Sequence, residues 1–328
     1  LGEIGLQTSQ PVHLARQPIP AMIAHTAGDI HPPGYYFLLH LWQQVTAPTL
    51  LHGLEFLYAL PSVMAAMLVL ALLYAIGRRL FSAPVAAIAV WLAVLNPFQL
   101  WYSQEVRMYT VGAALGLFCL WALLAFAGAS HRLRWLALYA LAAAAGLYTL
   151  YYFAFWLIAL NIVALLLLWQ AADGRGRRLA QWVAAQGAVI ILFGPWLPVL
   201  ARQATDPPVP PWRAPWHNAA DVVASAAETL AALLVGQSPP GQVVWIWAIP
   251  VLALLLGFAW WAWGRRGQTR RALAASVVLL LLFVPITLLF AITLFVTPIY
   301  HVRYIYLYAT LFLLVPAVVI AAMWRRCR

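Results

Sequence analysis

The residues best suited to chemistry in this sequence lie in the stretch GDIHPPGYYFLLH, which runs from Gly28 to His40. Asp29 and His31 are separated by one residue, and Pro32 and Pro33 restrict the backbone directly after them. A carboxylate held in this way is suited to accepting a proton. It is equally suited to capping a helix or to meeting headgroups and water, and the spacing alone leaves both roles open.

Two arginines stand at the beginnings of apolar segments. Arg107 follows Glu105 by two residues in WYSQEVRMY, and we expect them to point to different faces of a helix and not to neutralise each other. Arg303 begins the last apolar segment, in YHVRYIY. Either each arginine reaches out to lipid phosphates, or the two converge on one anionic ligand, whose oxygens a guanidinium can bind in pairs.

The composition predicts an integral membrane protein. The 328 residues are 65% hydrophobic and 8% charged, with a mean hydropathy of +0.87. A soluble domain usually carries about 25% charged residues. The net charge of +11 does not indicate nucleic-acid binding, because 14 of the 19 arginines fall in five short runs between apolar segments. Short basic loops of this kind are typical of the cytoplasmic side of a membrane.

Apolar segments of up to about 25 residues predict nine transmembrane helices, at Leu54–Ile76, Pro84–Leu95, Val106–Ala127, Leu133–Leu147, Phe153–Ala171, Leu179–Leu200, Val243–Trp263, Ala272–Val296 and Tyr304–Met323. We expect one domain, with an outer loop at 1–53, transmembrane helices in 54–200, a second outer loop at 201–242 and further transmembrane helices in 243–328. Each outer loop should carry an interfacial helix. The first covers Pro33–Val45, and the second begins after Asn218 as N-cap and runs to about Leu234.

Nine crossings place all five arginine-rich runs on one side. Seven of the eight acidic residues fall on the other side, the exception being Asp173. We therefore expect a cytoplasmic C-terminus and an extracytoplasmic location for Asp29 and Glu105. No histidine or cysteine pair has the spacing of metal ligands, although a divalent cation such as Mg²⁺ or Mn²⁺ bridging carboxylates and a phosphate is compatible with the sequence.

Four segments together resemble the GT-C membrane glycosyltransferases of family 39, which include protein O-mannosyltransferases and a bacterial aminoarabinose transferase acting on lipid A. They are DIHPPGYYFLLHLW, GRRLF, NPFQLWYSQEVRMY and RYIYLYATLFLLVPA, in this order along the chain. The resemblance implies a GT-C-like bundle, in the plasma membrane of a bacterium. It also implies transfer of a sugar from a polyprenyl-phosphate donor to a protein, lipid or glycan acceptor on the extracytoplasmic side.

The family carries an Asp-Glu pair in its first outer loop, where this sequence reads LGEIGLQTS. Glu3 matches the second position, Gly2 replaces the aspartate, and the first helix of the family would precede Leu1. We therefore expect Asp29 or Glu3 to be the catalytic base, or the usual activity to be lost. Arg107 and Arg303 are expected to bind the lipid phosphate, with His31, Tyr102 and Glu105 in supporting positions.

The chemistry implied by the resemblance needs one carboxylate to take the acceptor's proton and cations to hold the departing phosphate. Direct displacement would invert the anomeric carbon. Two other functions stay open. A lipid or glycan flippase would also be polytopic, although the sequence shows no internal repeat of the kind common in transporters. An inactive relative would keep the helical bundle and lose the reaction.

Overall fold

The protein is described by a computed structural model that covers residues 11–48, 55–128, 132–170, 174–205, 215–237, 243–264 and 269–325. The regular structure of these residues is helical. In chain order the helices are α1 (Ile19–Gly28), α2 (Gly34–Thr46), α3 (Glu55–Leu80), α4 (Ala83–Leu95), α5 (Pro97–Gln104), α6 (Tyr109–Gly128), α7 (Arg132–Thr149), α8 (Phe153–Trp169), α9 (Arg175–Phe193), α10 (Leu197–Thr205), α11 (Ala219–Val235), α12 (Val243–Trp263), α13 (Thr269–Phe295), α14 (Tyr306–Phe312) and α15 (Leu314–Trp324). Short 3₁₀ turns at Gly194–Trp196 and Val302–Ile305 precede α10 and α14.

Seven of the nine predicted apolar segments each coincide with one helix of the described chain. The other two, Leu179–Leu200 and Tyr304–Met323, each run through two helices and a 3₁₀ turn. Six helical spans are long and apolar enough to cross a membrane, namely Phe56–Leu80, Tyr109–Gly128, Arg175–Thr205, Val243–Trp263, Thr269–Phe295 and Val302–Trp324. The pair α4 and α5, which meet at an angle of 64°, would make a seventh. The prediction of an all-α polytopic membrane protein is confirmed. The count of nine crossings stays a prediction, because α7 and α8 are shorter apolar helices.

The contacts divide the chain into two compact units, and the prediction of one domain stays a prediction. The first unit comprises the described residues within Leu1–Val69, Tyr102–Ala154 and Leu165–Pro208. Its centre is the packing of α6 against α7, and α6 carries small buried residues such as Gly112 and Gly116. Helix α7 also packs against α9 and α2, and α1 contacts α10.

The approach of α2 to α7 depends on Gly34, the first residue of α2. A Cβ atom at this position would lie 2.5 Å from the carbonyl oxygen of Tyr148, near the end of α7. This distance is shorter than any van der Waals contact, so only glycine allows α2 to begin here without displacing a backbone. The tight contact fixes the segment that carries Asp29 and His31, because that segment leads directly into Gly34.

The second unit comprises the described residues within Leu70–Trp101, Phe155–Ala164 and Val209–Arg328. In it α4 packs against α15, and α11 packs against α12. The predicted N-cap of α11 is confirmed. The side chain of Asn218 accepts a hydrogen bond from the backbone N–H of Asp221, whose own carboxylate accepts from the backbone of Asn218.

A second asparagine of this unit satisfies the backbone of two helix ends. Asn96 lies at the bend between α4 and α5, and its Oδ1 accepts from the backbone N–H of Gln99 in the first turn of α5. Its Nδ2 donates to the carbonyl oxygens of Leu233 and Leu234, in the last turn of α11, each at 3.2 Å. The side chain therefore caps the start of one helix and the end of another.

Candidate active site

The sequence-predicted pair Asp29 and His31 forms a hydrogen-bonded unit in the turn between α1 and α2. Helix α1 ends at Gly28, and the backbone N–H of Asp29 donates to the carbonyl oxygen of Thr26. Nδ1 of His31 lies 3.0 Å from Oδ2 of Asp29, and both side chains remain partly exposed, at 22% for His31 and 26% for Asp29. Pro32 and Pro33 are buried, so the turn packs against the rest of the first unit.

The electrostatics of this pair favour an ionised carboxylate. Burial raises the pKa of Asp29. The hydrogen bond to His31 and the electrostatic interaction with its ring lower the pKa, and together with smaller contributions they outweigh the effect of burial. The net result is that the pKa of Asp29 lies below its ordinary value. A carboxylate only accepts hydrogen bonds, so Nδ1 of His31 carries the proton of this bond and Nε2 is the ring atom left for proton exchange.

A polar network that the sequence analysis missed holds the turn from the other side. Nε2 of Gln203, on α10, donates to the carbonyl oxygens of Thr26, Ala27 and Asp29, the first at 3.0 Å. Its Oε1 accepts from the hydroxyl of Tyr151 at 2.5 Å, and the indole N–H of Trp196 donates to the same hydroxyl at 2.7 Å. Gln203 lies 174 residues beyond Asp29 in the chain, and no signal in the sequence links them.

Arg107 and Glu105 lie in the bend between α5 and α6, which corrects the prediction that they occupy the first turn of a transmembrane helix. Helix α6 begins only at Tyr109. The backbone N–H of Arg107 donates to the carbonyl oxygen of Glu105 at 2.8 Å, and the hydroxyl of Ser62 donates to the same oxygen at 2.7 Å. The expectation that Glu105 and Arg107 lie on different faces of a helix was therefore wrong, because this segment makes a tight turn before the helix begins.

Two buried tyrosines on α2 connect the bend with the Asp29–His31 pair. The rings of Tyr35 and Tyr36 meet edge to face with centroids 6.2 Å apart. Burial raises the pKa of Tyr36 to about 12, and the charges of Arg107 and Asp29 act on the same hydroxyl in opposite directions. The Tyr36 hydroxyl is therefore neutral at physiological pH and lies within the fields of both the guanidinium and the carboxylate.

The guanidinium of Arg107 has donor capacity left over. Its Nε is buried, and no hydrogen-bond acceptor in the described part of the chain reaches it. A buried N–H group without an acceptor is costly, and for a charged donor the cost is larger than for a neutral one. An anionic ligand atom beside this nitrogen would remove that cost.

The remaining predicted site residues have different surroundings. Tyr102 is buried at 2% exposure, its ring packs edge-on against Tyr109, and its carbonyl oxygen accepts from the hydroxyl of Thr110 at 2.6 Å. It thus packs the bend after α5. Arg303 belongs to the second unit and, as predicted, begins the last span. Its backbone N–H and its Nε both lie 3.2 Å from Nδ1 of His301, which therefore acts as an acceptor. Glu3 lies outside the described residues.

The sequence is compatible with a divalent cation, which needs several ligand side chains close together. Within the described ranges, no three or more histidine, cysteine, aspartate or glutamate residues come together. Around Asp29 the described neighbours are an imidazole, phenols and a guanidinium, whereas Mg²⁺ and Mn²⁺ bind oxygen ligands such as carboxylates, phosphates and water. The divalent cation therefore stays a prediction, and no step below depends on one.

Comparison with known proteins identifies the family. The family model described as dolichyl-phosphate-mannose-protein mannosyltransferase matches residues 30–199, slightly more than half of the chain. The chain belongs to this family. The match begins one residue after Asp29 and includes His31 and Arg107, so the resemblance inferred from the motifs is confirmed. No curated protein matches this mannosyltransferase family member significantly.

Solved structures support the same fold. The family member superposes on ArnT from Cupriavidus metallidurans in the apo state with a TM-score of 0.57 and 16% identity, over 90% of this chain and 51% of ArnT. It superposes on the Archaeoglobus fulgidus oligosaccharyltransferase in complex with Zn and sulfate with a TM-score of 0.54 and 14% identity, over 90% of this chain and 41% of that one. A second structure of the archaeal enzyme AglB, with an inhibitory peptide and a dolichol-phosphate, gives 0.53 and 14%, over 90% and 42%. The chain thus spans about half the length of these structures or less, and at such identities the likeness concerns the GT-C fold.

Proposed function

We propose that this family member is a membrane glycosyltransferase that moves a sugar from a polyprenyl-phosphate donor to an acceptor on the extracytoplasmic side. The observation that carries the proposal is the combination at Tyr36. The ionised carboxylate of Asp29, which is hydrogen-bonded to His31, and the half-buried guanidinium of Arg107, whose buried Nε has no acceptor in the described residues, both act on this hydroxyl. An acid–base pair and a phosphate-binding cation are the two requirements of the reaction. Membership of a family described by dolichyl-phosphate-mannose supports the same donor class.

In the proposed reaction, an acceptor oxygen attacks the anomeric carbon of the donor while the bond from that carbon to the phosphate oxygen breaks. The bonding electrons leave with the polyprenyl phosphate, and Arg107 stabilises the negative charge that develops there. The acceptor proton passes to Nε2 of His31, with Asp29 orienting the ring and stabilising its cationic form. A single displacement of this kind inverts the anomeric configuration.

The extracytoplasmic location of the reaction is supported by the charge distribution of the sequence. Basic runs occupy the loops at one end of the predicted helices, and Asp29, Glu105 and Arg303 all fall at the other end. Glu3, which the family resemblance aligns with a catalytic pair, and Arg303 remain proposed contributors to base and phosphate binding. Labelling of single cysteines introduced beside Asp29 and beside Arg175, with an impermeant reagent applied to intact cells, would test the orientation.

The function is tested by transfer of labelled sugar from a synthetic polyprenyl-phosphate sugar in proteoliposomes, followed by the anomeric configuration of the product. Arg107→Gln should lower kcat/KM by about 100-fold or more, because it removes a charged donor from the departing phosphate. Arg202→Gln, at an exposed position on α10, is the matched control and should retain activity. Asp29→Asn should abolish transfer while the protein stays monodisperse. Undiminished transfer in Arg107→Gln and Asp29→Asn would refute the site, and substrate transport without transfer would favour a flippase.

A further inference from the structure

A pocket at one end of the second unit has no role in the proposed reaction. It has a volume of about 450 Å³ and lies where α3 ends, α4 and α13 begin and α15 ends. Its polar lining consists of three arginines and two hydroxyl side chains, Arg270, Arg271, Arg325, Ser82 and Thr269. Its apolar lining includes Phe81 and Trp261, whose ring centroids lie 6.4 Å apart. The pocket lining therefore combines guanidinium groups with aromatic rings.

No described acidic residue pairs with the three guanidinium groups of the pocket. The sequence of the unit contains only two acidic residues, Asp221 and Glu228, and both lie on α11. Helix α11 contacts the 3₁₀ turn that carries Arg303, roughly 30 Å from the end of α15 by helical rise. The positive charge of the pocket is therefore available to an external anion.

The arginines are held at the pocket by other contacts. The guanidinium of Arg271 lies over the ring of Trp261, 5.2 Å from its centroid, and Nε of Arg325 donates to the carbonyl oxygen of Ala321. Ser82 is the N-cap of α4 but makes no capping hydrogen bond with its side chain, and Thr269 is the first residue of α13. Two hydroxyl groups and two helix starts thus add donors to the guanidinium groups on the same pocket.

We propose that this pocket binds a phosphate group, supplied either by the headgroup of an anionic lipid or by a soluble phosphate compound. Guanidinium and hydroxyl groups can donate hydrogen bonds to phosphate oxygens. The rings of Phe81 and Trp261 can pack against the glycerol and upper acyl carbons of a lipid. Generic attraction of basic loops to an anionic leaflet would need no pocket that brings these residues together. The site is independent of the transfer reaction proposed above.

The test uses the purified full chain and native mass spectrometry with phosphatidic acid, phosphatidylcholine, inorganic phosphate and pyrophosphate as probes. The triple change Arg270→Gln, Arg271→Gln and Arg325→Gln should weaken binding of phosphatidic acid by about tenfold or more. Displacement of the lipid by pyrophosphate would show that the phosphate group alone is recognised. Lipid adducts that pyrophosphate does not displace would identify the lipid as the source.

The matched control removes the same charge elsewhere, by Arg134→Gln, Arg175→Gln and Arg177→Gln. Arg134 and Arg175 also lie over tryptophan rings, at 4.7 and 4.9 Å, and none of the three lines the pocket. Equal weakening in both triple variants, or none in either, would overturn the proposal. Ser82→Phe fills the pocket and leaves every charge in place, so it should also abolish binding. That variant decides the question if the pocket triple variant does not fold.

Discussion

The hydrogen bonds of Gln203 predict that its replacement by leucine loosens the turn that carries Asp29. The amide of Gln203 has two N–H groups for three carbonyl oxygens and one oxygen for the hydroxyl of Tyr151, so about three net bonds are lost. At about 1 kcal/mol each this would amount to about 3 kcal/mol. Gln203 is half-buried, and water replaces part of the loss. We expect the free energy of unfolding to fall by about 1–2 kcal/mol.

The assay has two readouts, the thermal midpoint of the protein in detergent and kcat/KM for sugar transfer. Gln186→Leu is the matched control, because it removes a bond between a glutamine on α9 and the hydroxyl of Tyr139. Both variants should lower the midpoint, but only Gln203→Leu should also lower kcat/KM, by about tenfold for 1.4 kcal/mol of lost positioning. If both variants lower the thermal midpoint but kcat/KM is unchanged in both, Gln203 has no role in positioning Asp29.

Two further predictions concern the same turn. Gly34→Ala should destabilise the protein by about 1–3 kcal/mol in a melting experiment, because its Cβ would meet the carbonyl oxygen of Tyr148. Gly28→Ala is the control. It has no atom within 4 Å of the new Cβ and should be neutral or nearly so in the same experiment. The lowered pKa of Asp29 means that its ionised carboxylate, hydrogen-bonded to His31, stabilises the fold above the unfolded pKa of Asp29, and that this contribution is lost as pH falls through the folded pKa. If His31 accepts the proton, His31→Asn should remove the acid limb of the pH profile of kcat/KM. An acid limb that is unchanged in His31→Asn would instead assign the proton to a carboxylate.

The helices were largely predictable from the sequence, because apolar segments of sufficient length have few alternatives in a membrane. The N-cap at Asn218 was predictable for a local reason, since its partner Asp221 lies three residues away. Helix α1 was not predicted. It is short and has little polar patterning, although Pro18 and Pro20 around its first residue are a signal typical of a helix start.

The candidate site was predictable only where it is local. Asp29 and His31 were identified from their spacing and from the prolines that follow them. Arg107 was identified, but its backbone was expected to be helical, since nothing in the sequence announces the bend that precedes Tyr109. Gln203 and Tyr36 could not be identified, because their roles depend on contacts between distant segments and on the shared field of two charges.

The double cap formed by Asn96 makes the bend after α4 depend on a helix that is synthesised much later, α11. The amide is inserted with α4, long before residue 233 leaves the ribosome, and its two N–H groups gain their carbonyl partners only when α11 arrives. Gly236 then enters beside the backbone of Phe98 with φ of +83°, a conformation that side chains disfavour. The bend between α4 and α5 therefore gains its last hydrogen bonds late in synthesis. In a chain that ends before α11, the N–H groups of Asn96 would have to find other acceptors.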